Sequence, residues 1–184
     1  VCVELGIALS QYHRDHGPAL SAIADHLRGA AAAVDGARAR VELPAPVSAM
    51  IGRERELEQV RDLIGRPHVR VVTLTGPGGV GKTRLALEAA SRLRPEFTGG
   101  IHFIALASVT DAEGVVSAIA NSFHFFNPGG KFSAGVLREQ IEIGIRSPTL
   151  LVLDNFEHLL STAPLVSDLL DGCPFLKILV TSRV

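Results

Sequence analysis

The sequence predicts an α/β fold, a parallel sheet flanked by helices on both faces in a three-layer arrangement. Two observations carry this. Four short, uninterrupted apolar runs ("VRVVTLT", "IHFIALAS", "TLLVLD" and "FLKILVTS") are separated by segments with helical periodicity, and strands that are apolar on both faces need cover on both faces. The composition, 47% hydrophobic and 20% charged over 184 residues, can bury a core of one domain, or of one domain and part of another.

Residues 1–34 read as two helices, with Leu5, Leu9 and Tyr12 on one face, a break at Gly17-Pro18, and Leu20, Ile23 and Leu27 resuming the pattern. Two readings stand for this helical extension: a helical pair at the tail of an upstream module, which is favoured because such pairs are common, and a helix-turn-helix. The prolines and alternating charges of residues 35–48 mark a linker. Residues 49–184 then form the main domain. In "GRERELEQVRDLI", Leu57, Val60 and Ile64 line one side of an amphipathic helix that Gly65 and Pro67 end. The strand "VRVVTLT", a glycine loop and a helix bearing Leu85, Ala89 and Leu93 follow. "IHFIALAS" is the second strand and "DAEGVVSAIANSF" the next helix. After a turn at "FNPGGK" come the helix "SAGVLREQIEIGI", the strand "TLLVLD", the helix "STAPLVSDLLDG" and the strand "FLKILVTS". The chain opens on Val1 and stops just after this fourth strand, so it is expected to be a fragment with a piece missing at each end.

Charge and cysteines narrow the function classes. With 18 basic and 19 acidic residues the net charge is −1, which provides no global attraction to nucleic acid or to an anionic membrane. Cys2 and Cys173 lack a metal-binding spacing, so a reduced, cytoplasmic protein is expected. No apolar run reaches the length needed to span a bilayer as a helix.

The glycine loop carries the strongest functional signal. "GPGGVGKT" (Gly76, Pro77, Gly78, Gly79, Val80, Gly81, Lys82, Thr83) matches G-x-x-x-x-G-K-[ST], the P-loop pattern. Glycines let backbone N–H groups curl inward around an anion, and the helix that follows aims its positive end at the same point. Lys82 can meet the β- and γ-phosphates, and the Thr83 hydroxyl can ligate Mg²⁺. The pattern has a strand before it and a helix after it, and one of the chain's three lysines stands at the required place. A carboxylate is needed beside such a loop. Asp154, at the carboxyl end of "TLLVLD", is placed to hold Mg²⁺ through water as a Walker B aspartate does.

"MIGRERE", "GPGGVGKTRLA", "LLVLDNFEH" and "ILVTSR" together resemble the STAND class of P-loop ATPases, related to NB-ARC domains, and most of all the ATPase modules of large bacterial transcriptional regulators. The resemblance covers residues 48–184. It implies an ASCE-type sheet in which the "ILVTSR" strand lies between the P-loop strand and the Walker B strand. By position, Ile51, Gly52 and Arg53 match an element that packs on adenine, with Glu56 as its acidic end. Without the resemblance, a helix start with ordinary charge pairing is the better reading of that stretch. Arg84 follows the P-loop Thr83 and belongs to the same nucleotide-binding set, and Arg183 matches a sensor arginine near the γ-phosphate. Asn155 stands where many relatives carry a second acid, and an amide cannot act as a base at neutral pH. Glu157, two residues on, is the substitute candidate, with His158 structural.

The resulting expectation is a nucleotide-dependent switch that binds ATP or ADP with Mg²⁺, hydrolyses slowly, and self-associates or engages a regulatory protein. It involves no direct nucleic-acid or membrane contact in this segment. Two alternatives stay open: a non-hydrolysing module clamped by ADP, and a P-loop phosphotransferase. A GTPase is disfavoured because no N-K-x-D motif occurs.

Overall fold

A computed structural model describes residues 43–44, 52–127 and 130–183. The expected helical extension and nearly all of the linker lie outside these residues, as does Ile51. Helix α1 (Glu54–Gly65) buries Leu57, Val60 and Ile64, the stripe expected from its sequence. Strand β1 (Val71–Thr75) leads through the glycine loop into α2 (Lys82–Leu93). Then come β2 (Gly100–Ala105), α3 (Ala112–Ser122), α4 (Ala134–Gly144) and β3 (Thr149–Asp154). A 3₁₀ turn (Phe156–Thr162), α5 (Ala163–Gly172) and β4 (Leu176–Ser182) complete the chain order.

The four strands form one parallel sheet in the order β1-β4-β3-β2. β4 therefore lies between the strand before the glycine loop and the strand ending in Asp154, as the resemblance implied. Every residue of β3 is buried, and its side chains divide by alternation. Leu150 and Val152 join Leu179 of β4 against α1 and α2, where Ala86, Ala89, Ala90 and Leu93 allow close helix–sheet approach. Leu151 and Leu153 join Ile178 and Val180 against α3, α4 and α5 on the other face. The result is three layers with two apolar cores.

Two cations tie down the end of the sheet where the strands begin. Arg70 donates from Nε and Nη2 to the Leu176 carbonyl at 2.9 and 2.8 Å, and from Nη2 to the Leu170 carbonyl at 3.1 Å and to the Cys173 carbonyl. Lys177 donates to the carbonyls of Arg66, at 2.8 Å, and Ile64. Apart from Leu176, which opens β4, these carbonyls lie at or just past the carboxyl ends of α5 and α1, where the negative dipole ends favour positive charge.

Some boundaries differ from expectation. Strand β1 begins at Val71 rather than Val69, whose N–H turns back to the Arg66 carbonyl at 3.2 Å. β2 stops at Ala105, although the apolar run continues. The 3₁₀ turn after Asp154 was not anticipated.

Candidate functional site

The parallel sheet places the carboxyl ends of β1, β3 and β4 side by side, and the singled-out residues collect there. Gly79 and Gly81 sit at φ +81° and +88°, a backbone region that side-chain-bearing residues rarely adopt. Gly78 differs in that its φ lies outside that region, although a Cβ at any of the three would meet no atom within 4 Å. Neither conformation nor internal packing requires a glycine at 78, so its small size suits close approach by a group from outside.

Helix α2 starts directly from this loop with Gly81 as N-cap and no side-chain cap, whereas Asp111 caps α3 and Ser133 caps α4. Lys82 Nζ donates to the carbonyls of Gly76 and Pro77, each at 2.8 Å, and so lies folded back along the loop. The Thr83 hydroxyl donates to Asp154 Oδ1 at 2.7 Å, linking the loop helix to the end of β3. Asp154 is buried, at 5% exposure. Thr181 on β4 donates to the same Oδ1 and accepts the Asn155 N–H at 3.0 Å.

Beyond Asp154 the chain turns through Asn155, in the left-handed region at φ 64°, and presents Glu157. Glu157 Oε1 pairs with Arg183 Nε at 2.9 Å, while Oε2 is buried with no hydrogen-bond partner. Burial raises the pKa of the Glu157 carboxyl. Hydrogen bonds from its own backbone and the Asn155 side chain, with the Arg183 charge, outweigh that and hold it below its ordinary 4.5.

On the other side of the loop, Arg53 pairs with Glu56 at 2.8 Å and reaches the Val80 carbonyl at 3.4 Å. The Glu56 carboxyl is held low by its own backbone hydrogen bond and by Arg53. Arg53, Glu56, Leu63, Thr75, Lys82 and Arg84 are among the residues lining a groove of about 440 Å³ that runs alongside the loop. That volume is in the range of small-molecule sites. Arg53 and Arg84 therefore both lie beside the glycine loop, and Gly52 adopts a left-handed φ of +77° just before α1.

A match to the AAA ATPase domain model spans residues 49–172. The chain belongs to this family. It is 39% identical over 139 residues to an uncharacterised protein of Mycobacterium tuberculosis, covering 74% of this chain and 34% of that one. It is 45% identical over 115 residues to a candidate HTH-type transcriptional regulator of the same organism, covering 62% of this chain and 12% of the regulator. The chain thus spans about a third or less of the length of these relatives. Among solved structures it resembles Cdc6p from Pyrobaculum aerophilum (TM-score 0.59, 20% identity, 82% of this chain and 43% of that one). It also resembles the Aeropyrum pernix ORC2 protein, solved in ADPNP–ADP complexes (TM-score 0.55, 17% identity, 80% and 45% covered). At these identities the structural likeness establishes the fold, a P-loop NTPase fold, and nothing further.

The sequence singled out Lys82, Thr83 and Asp154, and the structure brings Thr83 and Asp154 into direct contact. It joins Glu157 and Arg183 as a pair of their own. Thr181, which links the two groups through Asp154 and Asn155, was missed. Its signal was a hydroxyl two residues before Arg183, on a strand expected beside the one that ends in Asp154.

Proposed function

We propose that this AAA ATPase domain is an adenine-nucleotide-dependent switch of the STAND/NB-ARC kind, hydrolysing ATP slowly within a larger cytoplasmic regulator, with residues 49–184 as its nucleotide-binding domain. The observation that carries the reading is the Thr83–Asp154 contact beside Lys82 at the end of a glycine loop. A hydroxyl and a carboxylate are hard oxygen donors, and no group of three or more His, Cys, Asp or Glu side chains able to hold a metal occurs among the described residues. That set fits Mg²⁺, which accepts few protein ligands and completes its shell with water and substrate phosphates. Bound there, Mg²⁺ would neutralise charge on the β- and γ-phosphates.

The remaining roles belong to the chain itself. The N–H groups of Gly76 and of Gly78 to Thr83, with the uncapped start of α2, cradle the phosphates. Lys82 exchanges the Gly76 and Pro77 carbonyls for phosphate oxygens. Ile51, Gly52 and Arg53 take the adenine-contacting role that the resemblance implies, with Arg53 and Arg84 lining the groove. Glu157 orients the attacking water, and Arg183 reads the γ-phosphate. Self-association or a regulatory protein partner is the output. The similarity to a candidate transcriptional regulator supports that setting.

A second reading, a nucleotide clamp without hydrolysis, is favoured by Asn155 standing beside Asp154 in place of an acid. One experiment separates them. Nucleotide released from purified protein is identified by mass spectrometry, and phosphate release is followed with MgATP. Bound adenine nucleotide with slow phosphate release supports the switch, and bound nucleotide without release supports the clamp. Absence of binding with or without Mg²⁺ refutes both.

A further inference from the structure

We propose that Thr181 is a positioning residue for the Asp154 carboxylate, a role that rests on the reading of Asp154 as the metal-holding group. The direction of its hydrogen bonds is set by chemistry. The Asn155 N–H can only donate, so Thr181 Oγ1 accepts there and its single proton is left for Asp154 Oδ1. Thr83 donates to that same oxygen from α2. A carboxylate turns readily about its last torsion, where rotamer wells are broad. Two hydroxyls on one oxygen, from α2 and β4, stop that rotation unless both bonds break.

The position in the sheet explains why a side chain is needed. The β3–β4 pairing ends at Leu153↔Val180, while β1 still pairs with β4 at Thr181 and Ser182. Past Leu153 the Asn155 N–H goes to a side-chain hydroxyl. Thr181 is 1% exposed, so water does not compete for the bond. The same contact anchors the left-handed Asn155 at the head of the turn that presents Glu157.

The test compares Thr181→Val, which keeps the shape and removes the donor, with Thr181→Ser, which keeps the hydroxyl. ATP binding to the full chain is titrated calorimetrically with Mg²⁺ and with EDTA. Thr181→Val should weaken binding by about fivefold in Mg²⁺, the scale of one lost hydrogen bond, and should leave the EDTA value unchanged. Thr181→Ser should restore the Mg²⁺ value. In an Asp154→Asn background, Thr181→Val should have no further effect. Equal losses with and without Mg²⁺, or no loss at all, overturn the proposal. A wild-type protein indifferent to Mg²⁺ overturns the reading of Asp154 along with it.

Discussion

Replacing Arg183 with Ala should separate the response to ATP from the response to ADP. The side chain is 64% exposed and spends its charge on Glu157 at 2.9 Å. An ion pair so open to solvent is worth about 0.2–1 kcal/mol. A charge-assisted hydrogen bond to a phosphate oxygen is worth about 1.5–3 kcal/mol. If Arg183 leaves Glu157 for the γ-phosphate, the net gain is about 1–2 kcal/mol, which corresponds to roughly five- to thirtyfold in affinity. ADP lacks the γ-phosphate and offers no reason for the exchange, so its affinity should change less than about twofold on this argument. Paired calorimetric titrations with a non-hydrolysable ATP analogue and with ADP measure both. Equal losses for the two nucleotides would show that Arg183 acts on something they share. No loss for either would leave it as the partner of Glu157 and nothing more.

Lys82→Ala removes the charge expected on the phosphates and should weaken MgATP binding at least about tenfold, or about 1.4 kcal/mol; equal affinities by calorimetry would end the P-loop assignment. Asp154→Asn should lower Mg²⁺-dependent binding and turnover together, whereas Glu157→Gln should spare binding and slow phosphate release. If Asn155→Ala abolishes release and Glu157→Gln does not, the water-orienting role belongs to Asn155. Arg53→Ala should narrow a preference for ATP over GTP in competition binding, and an unchanged ratio would remove Arg53 from base recognition. Arg70→Met removes the guanidinium donors from the Leu170 carbonyl at the carboxyl end of α5 and from the Leu176 carbonyl at the start of β4. It should cost about 2 kcal/mol or more in urea unfolding, and an unmoved midpoint would refute that.

What the sequence made legible were the features written in local pattern. The apolar stripe of α1, the unbroken "TLLVLD" of β3 and the glycine loop between β1 and α2 each depend on neighbours within a few positions. Asp154 was found for the same reason, as the first polar residue after a buried strand. The features that escaped depend on distant partners. Arg70 and Lys177 look like ordinary strand-edge charges until the ends of α5 and α1 arrive beside them. Glu157 and Arg183 were each singled out, but nothing in their spacing joined them. Thr181 passed as one more β-branched strand residue, because its hydroxyl matters only where β3 and β4 part. The 3₁₀ turn was hidden by the short, mixed character of "FEHLLST", which has no clear period.

The strand order has a consequence for how the chain reaches this state. Val71 of β1 finds its partner at Ile178 of β4, more than a hundred residues later, and β1 pairs with no other strand among the described residues. Strands β2 and β3 can zip together as soon as both have been synthesised. The P-loop strand must wait until β4 leaves the ribosome and slots in beside β3. Closing so long a loop is entropically costly and slow. During that wait the helix behind the glycine loop has Leu150, Val152 and Leu179 only partly in place to pack against. Until β4 is inserted, the elements that carry Lys82 and Asp154 are not joined through the sheet. Emergence of residues 176–182 is thus the step that assembles the site, and a nascent chain halted before them should expose the apolar faces of α1 and α2 to chaperones and proteases.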